Sequence, residues 1–277
     1  MLFKNFGKRK QNKNSIQIST FECKRDNLTI RGTEYRPAGE NLPIAIVSHG
    51  FMATQGTVIQ YAKALADLGY AAFCFDFCGG CVVNGKSDGK TTEMSVLTEV
   101  RDLEAVISYT RSLTYTDSDS LLLMGCSQGG FVSALTAANP VNKVNKIVLF
   151  FPAFCIPDDA RAGQMMFAKF DPDNIPEEFS CGPMKLGRCY PADVISLDPF
   201  KEIKSFNGHV LIVHGTNDKI VSVDYAKRAK ESYLETIPGG MSEQERVRLE
   251  IIPKGDHGFS KKHDLIAIGF LKDFAGK

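Results

Sequence analysis

The sequence predicts an α/β fold: a mostly parallel central sheet with helices on both faces. Three observations predict it. Short continuous apolar runs recur along the chain, at residues 44–47, 71–77, 121–124, 147–151, 209–214 and 248–252. Runs of that kind belong to strands buried on both sides, as in parallel sheets. Segments with helical apolar spacing lie between most of them, and strands that alternate with helices build a sheet through right-handed crossovers. Finally, the third run leads straight into Gly125-Cys126-Ser127-Gln128-Gly129 and a helix-compatible segment, 131–139. A strand, a tight Gly-x-Ser-x-Gly turn and a helix together form a nucleophile elbow, a turn that strains the serine backbone and lifts its hydroxyl out of the sheet. Gly125 and Gly129 are expected there because a Cβ at either would strike the neighbouring strand or helix.

In chain order, residues 16–23 and 28–35 alternate apolar and polar side chains around a turn at 24–27, the pattern of a hairpin with one solvated face. A loop at 37–43 precedes the first buried run. Residues 58–68 have helical spacing and stop at Gly69, a good residue just past a helix end. The glycine-rich, polar stretch 79–92 reads as loop. In 95–110, Val96, Leu97, Val100, Leu103, Val106 and Ile107 fall on one helical face. Residues 225–234 and 265–274 are helical between and after the last two strands. The stretch 152–200 breaks the alternation: it carries turns at 171–174 and 181–183 and is too long for a plain connection. It reads as an insertion with short elements of its own, and its place after the strand that follows the elbow suggests a lid over Ser127. The expected organisation is a flexible basic arm at 1–14 and one domain at 15–277 with the insertion at about 152–200.

Bulk properties narrow the function. The 277 residues are 43% hydrophobic and 23% charged, ordinary for a globular chain, with a formal net charge of +1 that favours neither nucleic acid nor a membrane surface. No apolar run approaches the ~20 residues of a membrane span. The basic N-terminus lacks the apolar core of a secretory signal. The eight cysteines are scattered and imply no disulfide framework at this size, so a reducing cytoplasm is the expected location. Cys78-Gly79-Gly80-Cys81 has C-x-x-C spacing, but no second pair completes a zinc site and no helix follows to activate a thiol. No metal or organic cofactor is expected.

A serine hydroxyl needs a base, and the base needs an orienting carboxylate. Of the five histidines, His257 is best placed, in the loop Gly255-Asp256-His257-Gly258-Phe259 just past the last strand. That is the sheet edge where open α/β folds put their sites. The carboxylate should follow the preceding strand, where His214-Gly215-Thr216-Asn217-Asp218 offers Asp218. Asp256 adjoins the histidine too closely to reach its ring, and Asp224 reads as a helix-start residue. The order Ser127, Asp218, His257 is that of the α/β-hydrolase arrangement. Oxyanion donors are expected in the backbone N–H groups of Gln128 and Phe51, the latter in the turn Ser48-His49-Gly50-Phe51-Met52. Gly50 lets that turn approach the serine and so borders the substrate; His49 reads as structural.

The set His49-Gly50-Phe51, Gly125-Cys126-Ser127-Gln128-Gly129-Gly130, Asp218 and His257 resembles an α/β-hydrolase-fold serine esterase, over most of the chain from about Ile16 onward. Among these it is most similar to bacterial cinnamoyl (feruloyl) esterases, which share the His-Gly-Phe turn, the Ser-Gln-Gly-Gly elbow, a loop like Gly85-Lys86-Ser87-Asp88-Gly89 and a lid inserted after the strand that follows the elbow. The resemblance implies cleavage of small esters with an aromatic acyl group, and lid residues that meet a phenolic hydroxyl. By position these are Asp159 and Tyr190, while a lid glutamine of the family falls at Met166. A homodimer is left open. Other carboxylesterases, serine peptidases and acyltransferases share this fold, and non-catalytic binding members exist, so the fold alone does not choose a substrate.

Overall fold

The computed structural model describes residues 15–276; the basic arm expected at 1–14 lies outside the described residues. The chain opens with the antiparallel hairpin β1 (Gln17–Arg25) and β2 (Leu28–Arg36), which turns at Asp26 and Asn27. There follow β3 (Leu42–Ser48), α1 (Ile59–Ala66), β4 (Ala71–Phe75), α2 (Val96–Arg111), β5 (Thr116–Cys126), α3 (Gln128–Ala138) and β6 (Lys146–Phe150). The insertion carries α4 (Ile156–Arg161), the hairpins β7 (Gln164–Met165) with β8 (Ala168–Lys169) and β9 (Glu178–Cys181) with β10 (Met184–Gly187), then α5 (Cys189–Ala192) and α6 (Pro199–Glu202). The chain returns through β11 (His209–Gly215), α7 (Val223–Leu234), α8 (Glu243–Arg246), β12 (Val247–Ile252) and α9 (Lys261–Ala275).

Among the described residues, eight strands form one sheet in the order β1-β2-β4-β3-β5-β6-β11-β12. β1, β2 and β4 pair antiparallel, and every pair from β4 through β3, β5, β6 and β11 to β12 is parallel. The continuous apolar runs occupy the central strands, where both faces are covered: β4 is buried at all five positions and β6 at four of five. One face packs α2, α3, α7 and the insertion around Phe131, Phe154 and Tyr233. The other packs α1 and α9 around Tyr61, Leu65 and Leu271.

Local chemistry explains where elements begin. Ser95 starts α2 with a reciprocal cap: its hydroxyl accepts the Thr98 N–H, and the Thr98 hydroxyl accepts the Ser95 N–H at 2.8 Å. The predicted stripe on α2 is correct at Val96, Leu103, Val106 and Ile107, but Leu97 faces solvent. Two acids, Glu99 and Asp102, take buried places on that helix instead. Arg25 of β1 supplies the partner that Asp102 needs. α3 begins at Gln128 rather than Phe131, because the elbow delivers the chain directly into helix. The parallel strands deliver their carboxyl ends to one edge, so the turns after β3, β5, β11 and β12 meet there.

Candidate active site

The elbow is built by exclusion of side chains. A Cβ on Gly125 would overlap the Gly129 carbonyl, and one on Gly129 would overlap the His49 carbonyl. With both absent, Ser127 occupies φ 54°, ψ −120°, a strained region for a residue with a side chain. Surrounding hydrogen bonds hold it there: its N–H donates to the Phe150 carbonyl at 2.9 Å, and its carbonyl accepts from Gly130, Phe131 and Ala153.

His257 Nε2 lies 2.9 Å from Ser127 Oγ, and His257 Nδ1 lies 2.8 Å from Asp218 Oδ2. The three residues named from the sequence thus form one continuous chain of contacts. The imidazole packs edge-on against Phe151, with centroids 4.8 Å apart. The Asp218 side chain is fully buried. Burial opposes its charge, but hydrogen bonds from His214, His257 and the Val221 N–H outweigh burial and hold its carboxyl well below the usual carboxylate range. Its Oδ1 accepts the Ile220 and Val221 N–H groups, each at 2.9 Å. His214, whose ring nitrogen stands 3.2 Å from Asp218, belongs to this set and was missed in the sequence. The available signal was its position at a strand end, four residues before the acid. Asp256, the rival carboxylate, instead accepts the Ser260 N–H and faces His263.

The turn after β3 reaches the serine because position 50 is glycine: a Cβ there would stand 3.1 Å from Ser127 Cβ. His49 is a brace. It is fully buried, its Nε2 accepts the Phe77 N–H at 3.1 Å, and its Nδ1 donates to the Gly50 carbonyl at 2.8 Å. Burial lowers its pKa, which keeps it neutral for both roles. His49, Asp76 and Cys81 bring potential metal-ligand atoms within 4.8 Å of one another. Those atoms are already engaged: Asp76 accepts the Gln55 and Lys86 N–H groups, and the one lone pair of His49 Nε2 takes Phe77. Burial pushes the Cys81 thiol far above its ordinary value, so it is not poised as a thiolate ligand. The cluster fixes the turn rather than a metal.

A cavity of about 210 Å³ opens at Ser127, between the Phe51 turn and the insertion. Asp159 and Tyr190 both line it. Burial, only partly opposed by a Cys155 hydrogen bond and reinforced by Asp158, raises the Asp159 carboxyl. The Tyr190 hydroxyl donates to Gln128 Oε1, so its proton is spent inside the protein. Gln128 Nε2 in turn donates to Glu99 Oε2 at 2.8 Å, and burial raises Glu99 well above the ordinary carboxyl range. Sequence reading missed Glu99 because it is a charged residue among apolar ones, although its place three residues after Val96 and four before Leu103 puts it on the apolar face of α2. It also missed Gln164, which lines the cavity two residues before Met166, the place named for a lid glutamine.

The family model Hydrolase_4, described as serine aminopeptidase, S33, matches residues 39–177, half of the chain. The chain belongs to this family. As a Hydrolase_4 member it has the α/β-hydrolase fold, and its solved neighbours agree. Est1E from Butyrivibrio proteoclasticus with ferulic acid bound superposes with a TM-score of 0.75 at 24% identity, over 95% of this chain and 96% of that one. DcsB in complex with its substrate analogue superposes with a TM-score of 0.68 at 21% identity, over 94% and 98%. At those identities the likeness is one of fold. The quorum-quenching protein AidA of Acinetobacter baumannii (strain MDR-ZJ06) is 31% identical over 108 residues, 38% of this chain. That match spans about a third of AidA's length. Among the described residues no helix is long and apolar enough to cross a membrane.

Proposed function

We propose that this chain is a serine ester hydrolase that acts through an acyl-enzyme on esters of hydroxycinnamic-type aromatic acids. The observation that carries the reading is the unbroken Ser127–His257–Asp218 contact chain beside a cavity lined largely by the insertion. Ser127 Oγ attacks the ester carbonyl as His257 Nε2 takes its proton. Asp218 holds the Nδ1–H and stabilises the imidazolium. The N–H groups of Phe51 and Gln128 receive the oxyanion, a role supported by the close approach of Gly50 to Ser127. His257 then protonates the departing alcohol, and water reverses the sequence to release the acid. No step calls for a metal or cofactor. The insertion serves as the lid, and Asp159 accepts a phenolic hydroxyl from the ring. Tyr190 supplies an aromatic wall, since its own proton goes to Gln128. The ferulic acid in the Est1E neighbour is consistent with an acyl group of this kind. A reducing cytoplasm fits eight free thiols.

Asp159 also favours a second reading, aminopeptidase activity, with the carboxylate holding a substrate ammonium, as the family description suggests. Burial works against the charged form of Asp159 and so counts against that anchor. The deciding measurement pairs methyl ferulate, methyl caffeate and methyl p-coumarate with aminoacyl p-nitroanilides. Hydrolysis of the methyl esters, and a loss of at least ~10³-fold in kcat for Ser127→Ala with an unchanged melting temperature, is the expected outcome. Turnover of the anilides alone sinks the esterase reading.

A further inference from the structure

The cavity carries large exposed apolar side chains beside two exposed polar ones, Gln164 and Lys219. Met166 is 42% exposed, Phe167 69% and Ile220 50%, and all three line the same cavity as Ser127. Isolated exposed hydrophobics need no explanation, but three on one rim form a patch.

Their backbone positions make the choice of residues pointed. Met166 and Phe167 are the two turn residues of the β7–β8 hairpin. Such turns favour glycine, asparagine or aspartate, which accept positive φ or solvate the turn. Met166 instead adopts φ 51°. An unbranched apolar residue in the left-handed region costs local stability that Asn or Gly would not cost. Ile220 stands in the turn whose N–H groups bind Asp218, so its backbone is tied to the catalytic carboxylate while its side chain is half exposed. The chain thus keeps apolar groups at two unrelated turns that converge on one opening.

The cavity's size says what the rim is for. At about 210 Å³ it is smaller than the roughly 300–1,000 Å³ of pockets that enclose a whole small molecule. It can take one half of an ester; the other half must lie across the opening. We propose that Met166, Phe167 and Ile220 form an outer subsite for the alcohol half of the ester, and that this half is an apolar chain or ring rather than a sugar. The inference rests on the reading above that the aromatic acyl group occupies the inner cavity. A sugar would set most of its hydroxyls against three apolar side chains, with Gln164 and Lys219 the exposed polar lining residues left to meet them, whereas alkyl carbons there leave water.

The test is a series of ferulate esters that differ only in the alcohol, from methyl through butyl to hexyl, with an arabinosyl ferulate beside them, all below their aggregation limits. A fully buried CH2 is worth about fourfold and a half-buried one about twofold. The expected rise in kcat/KM from methyl to hexyl is therefore on the order of tenfold or more. Phe167→Ser and Ile220→Ser should each flatten that slope, lowering the hexyl ester more than the methyl ester. A flat series in the wild type, or preference for the arabinosyl ester, overturns the proposal. So does activation only when the substrate aggregates, which would make the rim a lipid-surface contact. p-Nitrophenyl alkyl methylphosphonates of increasing alkoxy length give a readout that needs only a nucleophilic Ser127. Faster labelling with longer alkoxy groups, lost in Phe167→Ser, supports the subsite even if every carboxylic ester is refused, which would be failure of the esterase reading instead. Labelling indifferent to length overturns it.

Discussion

Glu99 shows how one buried acid shapes this site. It is sealed inside α2, faces Gln128 Nε2 and has a strongly raised pKa because burial penalises the carboxylate. The folded protein keeps a proton that an unfolded glutamate gives up above about pH 4.3. Between that pH and the raised folded value, the native state binds more protons than the unfolded one, so stability falls as pH rises, by up to about 1.4 kcal/mol per pH unit. Glu99→Gln keeps an oxygen for Gln128 and cannot ionise. Its melting temperature relative to wild type should therefore climb as pH rises above about 4.3, with ester hydrolysis retained. A difference that does not change with pH would mean that Glu99 is ionised in the fold. Asp218 presents the opposite case. Hydrogen bonds to the charged form lower its pKa, so its contribution to stability is present above the ordinary carboxylate range and is lost only in strong acid.

At the scale of elements, the elbow works because two glycines allow β5, α3 and the His49 turn to touch by their backbones. Gly129 is the junction, since its missing side chain makes room for the carbonyls of Ser48 and His49. Backbone atoms do not yield as a flexible side chain does. Gly129→Ala should cost about 2–3 kcal/mol or more in chemical denaturation. It should also lower kcat beyond any loss of folded protein, because the relief must separate Ser127 from the Phe51 turn. A variant with wild-type denaturation and turnover would refute that account of the elbow. The control is Gly69→Ala, where the added Cβ meets nothing within 4 Å and only the φ of 97° is unfavourable.

For the molecule as a whole, the end of the sheet remote from the site is closed by Arg246, a fully buried side chain. Its guanidinium donates to the carbonyls of Gly208, Phe206 and Thr236, and lies between the rings of Phe206 and Tyr233. These contacts tie the return from the insertion, the segment after α7 and the start of β12 to one point. A forked, planar cation fits three carbonyls where an ammonium cannot. Arg246→Met leaves those carbonyls without their donor, at about 1–3 kcal/mol for each that water does not reach. The expected loss is about 3 kcal/mol or more by urea denaturation, with Arg246→Lys between it and wild type. Both variants should keep the wild-type KM where they remain folded, because the serine lies at the opposite ends of the strands. A change in KM would show that the two ends of the sheet are coupled.

The sequence by itself determined the parallel sheet, the elbow and the members of the Ser127–Asp218–His257 set, because each depends on local chemistry. Apolar runs report strands buried on both faces, the spacing of Gly125 and Gly129 reports a turn too tight for a Cβ, and strand ends in a parallel sheet must share an edge. What only the tertiary structure decided are the relations between side chains far apart in the chain. Tyr190 spends its hydroxyl on Gln128, the charged residue Glu99 lies buried against the Gln128 amide, and His214 joins Asp218. The insertion was legible as an interruption, but its short hairpins obey no apolar period. Its inward residues, Gln164 among them, could not be told from its outward ones, and neither could the apolar rim at Met166, Phe167 and Ile220. A period marks a face only when the element is long enough to repeat; a two-residue strand has no face until the rest of the fold packs against it.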